Sequence, residues 1–163
     1  MTDHVRGTGA VELTEFGDFQ CPYCRDAAPS IARVLERLDG RVTLRFRHFP
    51  IPSRHPDAER AAAAAEAAAN QGRFWEMHDV LFAHQKELHT DQLVGYAREL
   101  GLDERRFRED LESAEIAQRV QEDRAAGEQA GVGGTPAFFI DGRPYKGFYD
   151  VESLVDELED AGA

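Results

Sequence analysis

The sequence predicts an α/β fold with a mixed central sheet and an inserted all-helical subdomain. Three observations carry this. Over residues 11–49 a strand-like run, a helical run and a second strand-like run follow one another, which makes a right-handed βαβ unit with parallel strands. From 55 to 130 every signal is helical. Then Gly131-Val132-Gly133-Gly134-Thr135-Pro136 breaks helicity, and strand, turn and helix signals close the chain. The expected organisation is a loose arm over 1–9, an α/β unit from 10–54 and 131–163, and the helical insertion over 55–130.

In order, Val11, Leu13 and Glu15 share one face of an alternating strand. The next helix spans 22–38, with Ile31, Val34, Leu35 and Leu38 on one face. Pro22 suits its first turn, and Pro29 removes one internal bond and should kink it. Gly40 supplies the stop. Val42, Leu44 and Phe46 line one face of the second strand, ended by Pro50 and Pro52. Ala58 to Ala69 is nearly all alanine, the best helix former. Phe74, Met77, His78, Leu81, Gln85 and Leu88 keep the helical period. Trp75, Met77 and Phe82 read as core packing, and His78 as a satisfied core or rim histidine. Thr90 and Asp103 can each cap a further helix, and Ile116 and Val120 lie on the last one. Residues 137–140 form a strand, Asp141-Gly142 is a hairpin turn signal, 143–148 return antiparallel, and 151–158 close as a helix.

At 163 residues, 42% of them hydrophobic, the chain can bury a substantial core. Its formal net charge of -12 argues against nucleic acid or an anionic membrane as main partner. No apolar run reaches the length of a membrane span. The first nine residues are polar and lack the apolar core of a secretory signal, so the expected location is the cytoplasm.

The only two cysteines, Cys21 and Cys24, sit two residues apart where strand gives way to helix. A helix N-terminus carries partial positive charge and favours a thiolate there. The spacing therefore points to a redox-active dithiol. So short a loop staples little as a structural disulfide. Half of a zinc site is the other reading, but no second Cys or His pair at similar spacing accompanies it. Glu15, in line with core residues six positions before Cys21, has two readings. It is a strand-end glutamate reaching solvent, or a partly buried acid with a raised pKa that moves protons for the cysteines.

Three features in this order resemble the DsbA-like family of thioredoxin-fold proteins: Glu15-Phe16-Gly17-Asp18-Phe19-Gln20-Cys21-Pro22-Tyr23-Cys24, a long helical insertion, and Gly131-Val132-Gly133-Gly134-Thr135-Pro136-Ala137-Phe138-Phe139-Ile140. Phe46-Arg47-His48-Phe49-Pro50 and Gly72-Arg73-Phe74-Trp75-Glu76-Met77-His78 extend the resemblance to roughly residues 10–160. It implies a thioredoxin fold, with Cys21 the exposed nucleophile and Cys24 the buried resolving thiol. Pro136 would be a cis-proline facing the disulfide, and Thr135 would offer backbone hydrogen bonds to an extended substrate. Pro22 and Tyr23 would complete the binding surface, and Glu15 matches the acid beneath the cysteine pair. The chain departs from the strongly oxidising members at Tyr23, where they carry histidine. Cys-Pro-Tyr-Cys also occurs in glutaredoxins, which are shorter and lack the insertion.

The resemblance implies a thiol–disulfide oxidoreductase acting on protein or low-molecular-weight thiols, with a redox-recycling partner and with neither metal nor organic cofactor. Two other classes share the fold: a chaperone-like peptide-binding module in which the cysteines are secondary, and a glutathione-dependent enzyme acting on small molecules. The second would need a pocket under the helical layer.

Overall fold

The computed structural model describes residues 3–163. A five-stranded sheet in the order β1-β3-β2-β4-β5 organises the chain. Its strands are β1 (His4–Gly7), β2 (Val11–Gly17), β3 (Val42–His48), β4 (Ala137–Ile140) and β5 (Arg143–Tyr145). β2 and β3 are parallel and joined by α1 (Pro22–Arg37); β4 is antiparallel to β2, and β5 to β4. Between β3 and β4 come α2 (Ala58–Ala69), α3 (Phe74–Ala83), α4 (Thr90–Glu99), α5 (Glu104–Leu111) and α6 (Ala114–Gln129); α7 (Val151–Asp160) ends the chain.

Two buried clusters follow from this arrangement. Val11 and Leu13, Val42 and Leu44, and Phe138 and Ile140 face Ala27, Ile31 and Val34 of α1 and Leu154 and Leu158 of α7. Farther along the sheet, Phe19, Cys24 and Phe46 join the helical layer, where Ala61, Ala65, Met77 and Leu81 pack. Alanine lets α2 run close beside its neighbours. On the opposite sheet face α6 approaches closely at Gly127, where a Cβ would stand 2.7 Å from the Phe49 ring.

Local chemistry sets the element ends. Asp141 (φ 48°) and Gly142 (φ 81°) are both left-handed, as a two-residue hairpin turn requires. Asp103 accepts from the Arg106 N–H and caps α5. The cap of α4 is His89 rather than Thr90, which is already the first helical residue. Helix α1 runs unbroken through the exposed Pro29. β5 ends at Tyr145, short of the predicted return over 143–148: its partner β4 is only four residues long, and its pairing ends with Phe138 opposite Tyr145; Pro144, inside β5, suits an edge strand.

The N-terminal residues correct the sequence reading. The predicted arm over 1–9 contains an edge strand: His4–Gly7 pairs antiparallel with β3, Val5 opposite Arg45. Three side-chain ties hold it. Arg6 bonds Asp79 at 3.1 Å, Trp75 Nε1 donates to the Val5 carbonyl at 2.9 Å, and His4 bonds Glu66 at 2.5 Å. These partners lie more than 60 residues away, so no local pattern announces the strand. Met1 and Thr2, also assigned to the arm, lie outside the described residues.

Candidate active site around Cys21 and Cys24

Cys21 is the N-cap of α1, with extended backbone (φ -75°, ψ 122°), and Pro22 opens the first turn. Cys21 N–H donates to the Asp18 carbonyl at 3.1 Å, and Gln85 donates to the carbonyls of Phe19 (2.9 Å) and Cys21 (2.7 Å). The buried Asp18 carboxylate accepts from Gln20 N–H, Ile51 N–H and His55 Nδ1. It ties the loop before the cysteines to the loop after β3. Sequence reasoning gave Asp18, His55 and Gln85 no role at the site: Asp18 lies inside the Glu15–Cys24 stretch and Gln85 on a helical period, but His55 and Gln85 meet this loop only through the tertiary fold.

Both thiols are free. The thiol of Cys21 donates to the Thr135 carbonyl at 3.5 Å, and the Thr135–Pro136 peptide is cis. The turn before β4 thus comes to the sulfur across 114 residues of sequence. The resemblance implied an exposed Cys21; it is 3% exposed, and Cys24 is fully buried. The Thr135 turn and the Gln85 segment close over Cys21, while Pro22 and Tyr23 stay outside, Tyr23 at 64% exposure. Electrostatics place Tyr149 near the pair as well. Phe148, the residue before it, is 80% exposed.

The two thiols have opposite electrostatics. A hydrogen bond from Cys24 is the main cause that lowers the Cys21 pKa to about 5; burial opposes it, and the Thr135 side chain and the N–H groups of Cys24 and Tyr23 add to it. Those N–H groups are the unpaired donors of the first helical turn. Burial pushes the Cys24 thiol well up, and Glu15 and the Cys21 sulfur push it further.

Glu15 is 2% exposed, which excludes the solvent-reaching reading. Burial, then the charge of Cys21, raises its carboxyl to about 8. The folded state therefore holds this proton more tightly than the unfolded chain. The resulting destabilisation grows as pH rises from about 4.5 to about 8 and is constant above, reaching at most about 5 kcal/mol. We expect Glu15→Gln to gain stability relative to the reduced parent protein at pH 9 and little at pH 5, in urea unfolding at both values. Parallel pH dependence of the two proteins would refute a buried, raised Glu15.

Among the described residues, His4, His48 and Glu66 are brought together in the way a metal site would need. Both imidazole Nε2 atoms bond the same Glu66 oxygen, at 2.5 and 2.8 Å. Burial pushes the Glu66 carboxyl up, but its hydrogen bonds with both histidines outweigh this and leave it well below the usual range. The cluster ties β1, β3 and α2 together.

The sequence matches the DSBA-like thioredoxin domain over residues 12–159. Among curated relatives, a Na(+)/H(+) antiporter NhaA 1 of Salinispora arenicola is 47% identical over 154 residues, which is 93% of this chain and 24% of that protein. A Na(+)/H(+) antiporter NhaA of Herminiimonas arsenicoxydans is 41% identical over 159 residues, 96% of this chain and 25% of that protein. The chain thus spans about a quarter of the length of these relatives. Among its described residues no helix is long and apolar enough to cross a membrane. A thioredoxin-like oxidoreductase of Silicibacter pomeroyi superimposes with TM-score 0.87 at 30% identity, covering 98% of this chain and 91% of that one. The thiol-disulfide exchange protein alpha-DsbA2 of Wolbachia pipientis has the same fold, with TM-score 0.86 at 22% identity, covering 99% and 88%. The chain belongs to the DSBA-like thioredoxin domain family.

Proposed function

We propose that this chain is a thiol–disulfide oxidoreductase working through the Cys21/Cys24 dithiol. The observation that carries the reading is the asymmetry of the pair. Cys21, at the helix N-terminus, is a thiolate at neutral pH, and Cys24 stays protonated beside it. In the reductive direction the Cys21 thiolate attacks a substrate disulfide, and one substrate sulfur leaves as a thiolate that solvent protonates. The resulting mixed disulfide is then attacked by Cys24, whose proton passes to Glu15. The Cys21–Cys24 bond forms and the second substrate sulfur departs as a thiolate, which takes its proton from solvent. Oxidation of a substrate runs the same steps backwards. Thr135 and Pro136 would hold an extended substrate against Cys21, with Pro22 and Tyr23 at the rim. Its substrates would be protein or small-molecule thiols and disulfides, with a separate partner to recycle the pair.

Lowering the Cys21 pKa from 9.0 to about 5 stabilises the reduced form by about 2.7 kcal/mol at pH 7, or about 60 mV toward oxidant. Thioredoxin and DsbA differ by about 150 mV, so the thiolate shift covers less than half of that gap. Equilibration against glutathione buffers, followed by thiol alkylation, measures where the pair lies. A potential near about -120 mV makes it a disulfide donor, and one near about -270 mV a reductase suited to the cytosol. Failure to form any Cys21–Cys24 disulfide would overturn the proposal.

A second reading, a peptide-holding module, is favoured by the exposed Tyr23 and Phe148. It predicts that the Cys21→Ser/Cys24→Ser double variant still suppresses client aggregation. Small-molecule chemistry at the thiols would need a pocket that reaches them. The cleft under the helical layer is lined by Glu15 and His78, and its lining includes neither cysteine.

A further inference from the structure

Resolution by Cys24 creates a problem that the cysteines and Glu15 do not solve alone. Each turn leaves a proton on a carboxyl that is almost wholly buried, and that proton must reach solvent before the next turn. A cleft of about 400 Å³ runs from the surface to Glu15, between α1 and α3. It is roomy enough for several waters. Most of its wall is apolar, with Ala32, Leu35, Leu44 and Phe82 among the lining residues. Among the described residues, the ionisable ones in its lining are Glu15, Arg6, Arg25, His78 and Asp79. The two arginines are permanently charged and accept no proton.

His78 is built to accept one. It is 6% exposed, and its Nδ1 bonds Asp79 Oδ1 at 2.8 Å. The carboxylate can only accept, so Nδ1 carries the hydrogen and Nε2 presents a lone pair. That Nε2 is buried and has no hydrogen-bond partner. The ring is held edge-on to Phe46 at 5.1 Å and to Phe82 at 5.0 Å, and Phe46 lies directly opposite Glu15 in the sheet. A buried imidazole with a fixed tautomer and an idle basic nitrogen, lining the same cleft as the acid, is more than core packing requires.

We propose that His78, oriented by Asp79, is a positioning residue that carries protons between Glu15 and solvent through this cleft. The inference rests on the dithiol reading above. In the mixed disulfide the Cys21 charge that helps to raise Glu15 is gone, and Cys24–SH passes its proton to the ionised fraction of Glu15 as the thiolate attacks the Cys21 sulfur and the substrate thiolate leaves. Glu15–COOH gives that proton, by way of cleft water, to His78 Nε2. The imidazolium, paired with Asp79, releases it to bulk water. The charged and titratable groups around His78 are Asp79 on its own helix, Arg6 on β1, His48 on β3, Glu15 on β2 and Arg25 on α1. Burial, assisted by Arg6 and His48, keeps the resting imidazole neutral and able to accept; Asp79 opposes this.

The test is stopped-flow resolution of a preformed mixed disulfide between Cys21 and glutathione in the full chain. His78→Gln should slow resolution about ten-fold at pH 7, less than the 10²–10⁴ of a directly acting acid–base group because His78 works through Glu15. Added imidazole should restore the rate in the variant and leave the parent protein unchanged. The Cys21/Cys24 reduction potential should not move, since a relay changes rates only. Asp79→Asn, at a mostly exposed side chain, should also slow resolution and shift its pH profile. It keeps the test sharp even if His78→Gln folds poorly. Parent-like rates in both variants, or a slow rate that imidazole does not rescue, would overturn the relay. If the parent protein forms no mixed disulfide at all, it is the dithiol function that fails instead.

Discussion

Replacing Cys24 by Ser should leave substrate adducts stranded on Cys21, whereas replacing Cys21 by Ser should remove exchange down to the background of free thiols in solution. The asymmetry follows from where each sulfur sits. Cys21 caps α1, where the donors of the first turn and the Cys24 thiol stabilise negative charge. With its pKa at about 5 it is about 99% thiolate at pH 7. Cys24 has no exposed surface, and burial holds its proton on. In Cys24→Ser the first attack proceeds, but no internal thiol releases the product, so the adduct persists until an external thiol removes it. In Cys21→Ser the remaining sulfur is both protonated and out of reach. Mass spectrometry of each variant after mild oxidation with a peptide thiol distinguishes the two. Iodoacetamide modification of the reduced parent protein should rise with a midpoint near pH 5 and map to Cys21. Adducts on Cys24 forming as fast in Cys21→Ser as on Cys21 in Cys24→Ser would reverse the assignment.

The largest expected loss of stability lies away from the cysteines, at Glu66. One carboxylate oxygen serves two imidazoles from two different strands, all three groups being largely buried. Glu66→Ala leaves both rings without that partner. At about 1–3 kcal/mol for each buried group left unsatisfied, the variant should lose about 3 kcal/mol. For a chain of this size that lowers Tm by about 6–12 °C. Because the folded pKa of Glu66 is depressed, its contribution is present above the unfolded value of 4.5 and is lost as pH falls through the folded one. The gap between parent and variant should therefore be wide at pH 7 and close in acid. His4→Ala and Glu66→Ala should be non-additive, since they remove the same contact. A loss below about 1 kcal/mol at pH 7 would show that the cluster does not fasten β1.

Much of this molecule was legible in local signals. The alternation over Val11, Leu13 and Glu15, the helical face of Ile31 and Val34, the alanine run of α2 and the Asp141-Gly142 turn each depend on residues within one or two turns of one another. Their geometry is set by backbone sterics and short-range packing. The dithiol was legible for the same reason, because Cys21, Pro22, Tyr23 and Cys24 share one helical turn.

Tertiary structure decided what depends on distant partners. The strand His4–Gly7 has one apolar side chain and exists because β3, α2 and α3 present Arg45, Glu66, Trp75 and Asp79 to it. The burial of Cys21, against its implied exposure, comes from Thr135 and Gln85, over 60 residues away. Glu15 could be read from sequence as a solvent-facing or a buried acid, and only the closing of the helical layer over the sheet made it buried. Sequence alone determined which thiols could react and which helix would present them. What lies around those thiols, and with it their charge and their route to solvent, came from long-range packing. Desolvation and Coulomb interaction depend on distance in space, which sequence separation does not encode.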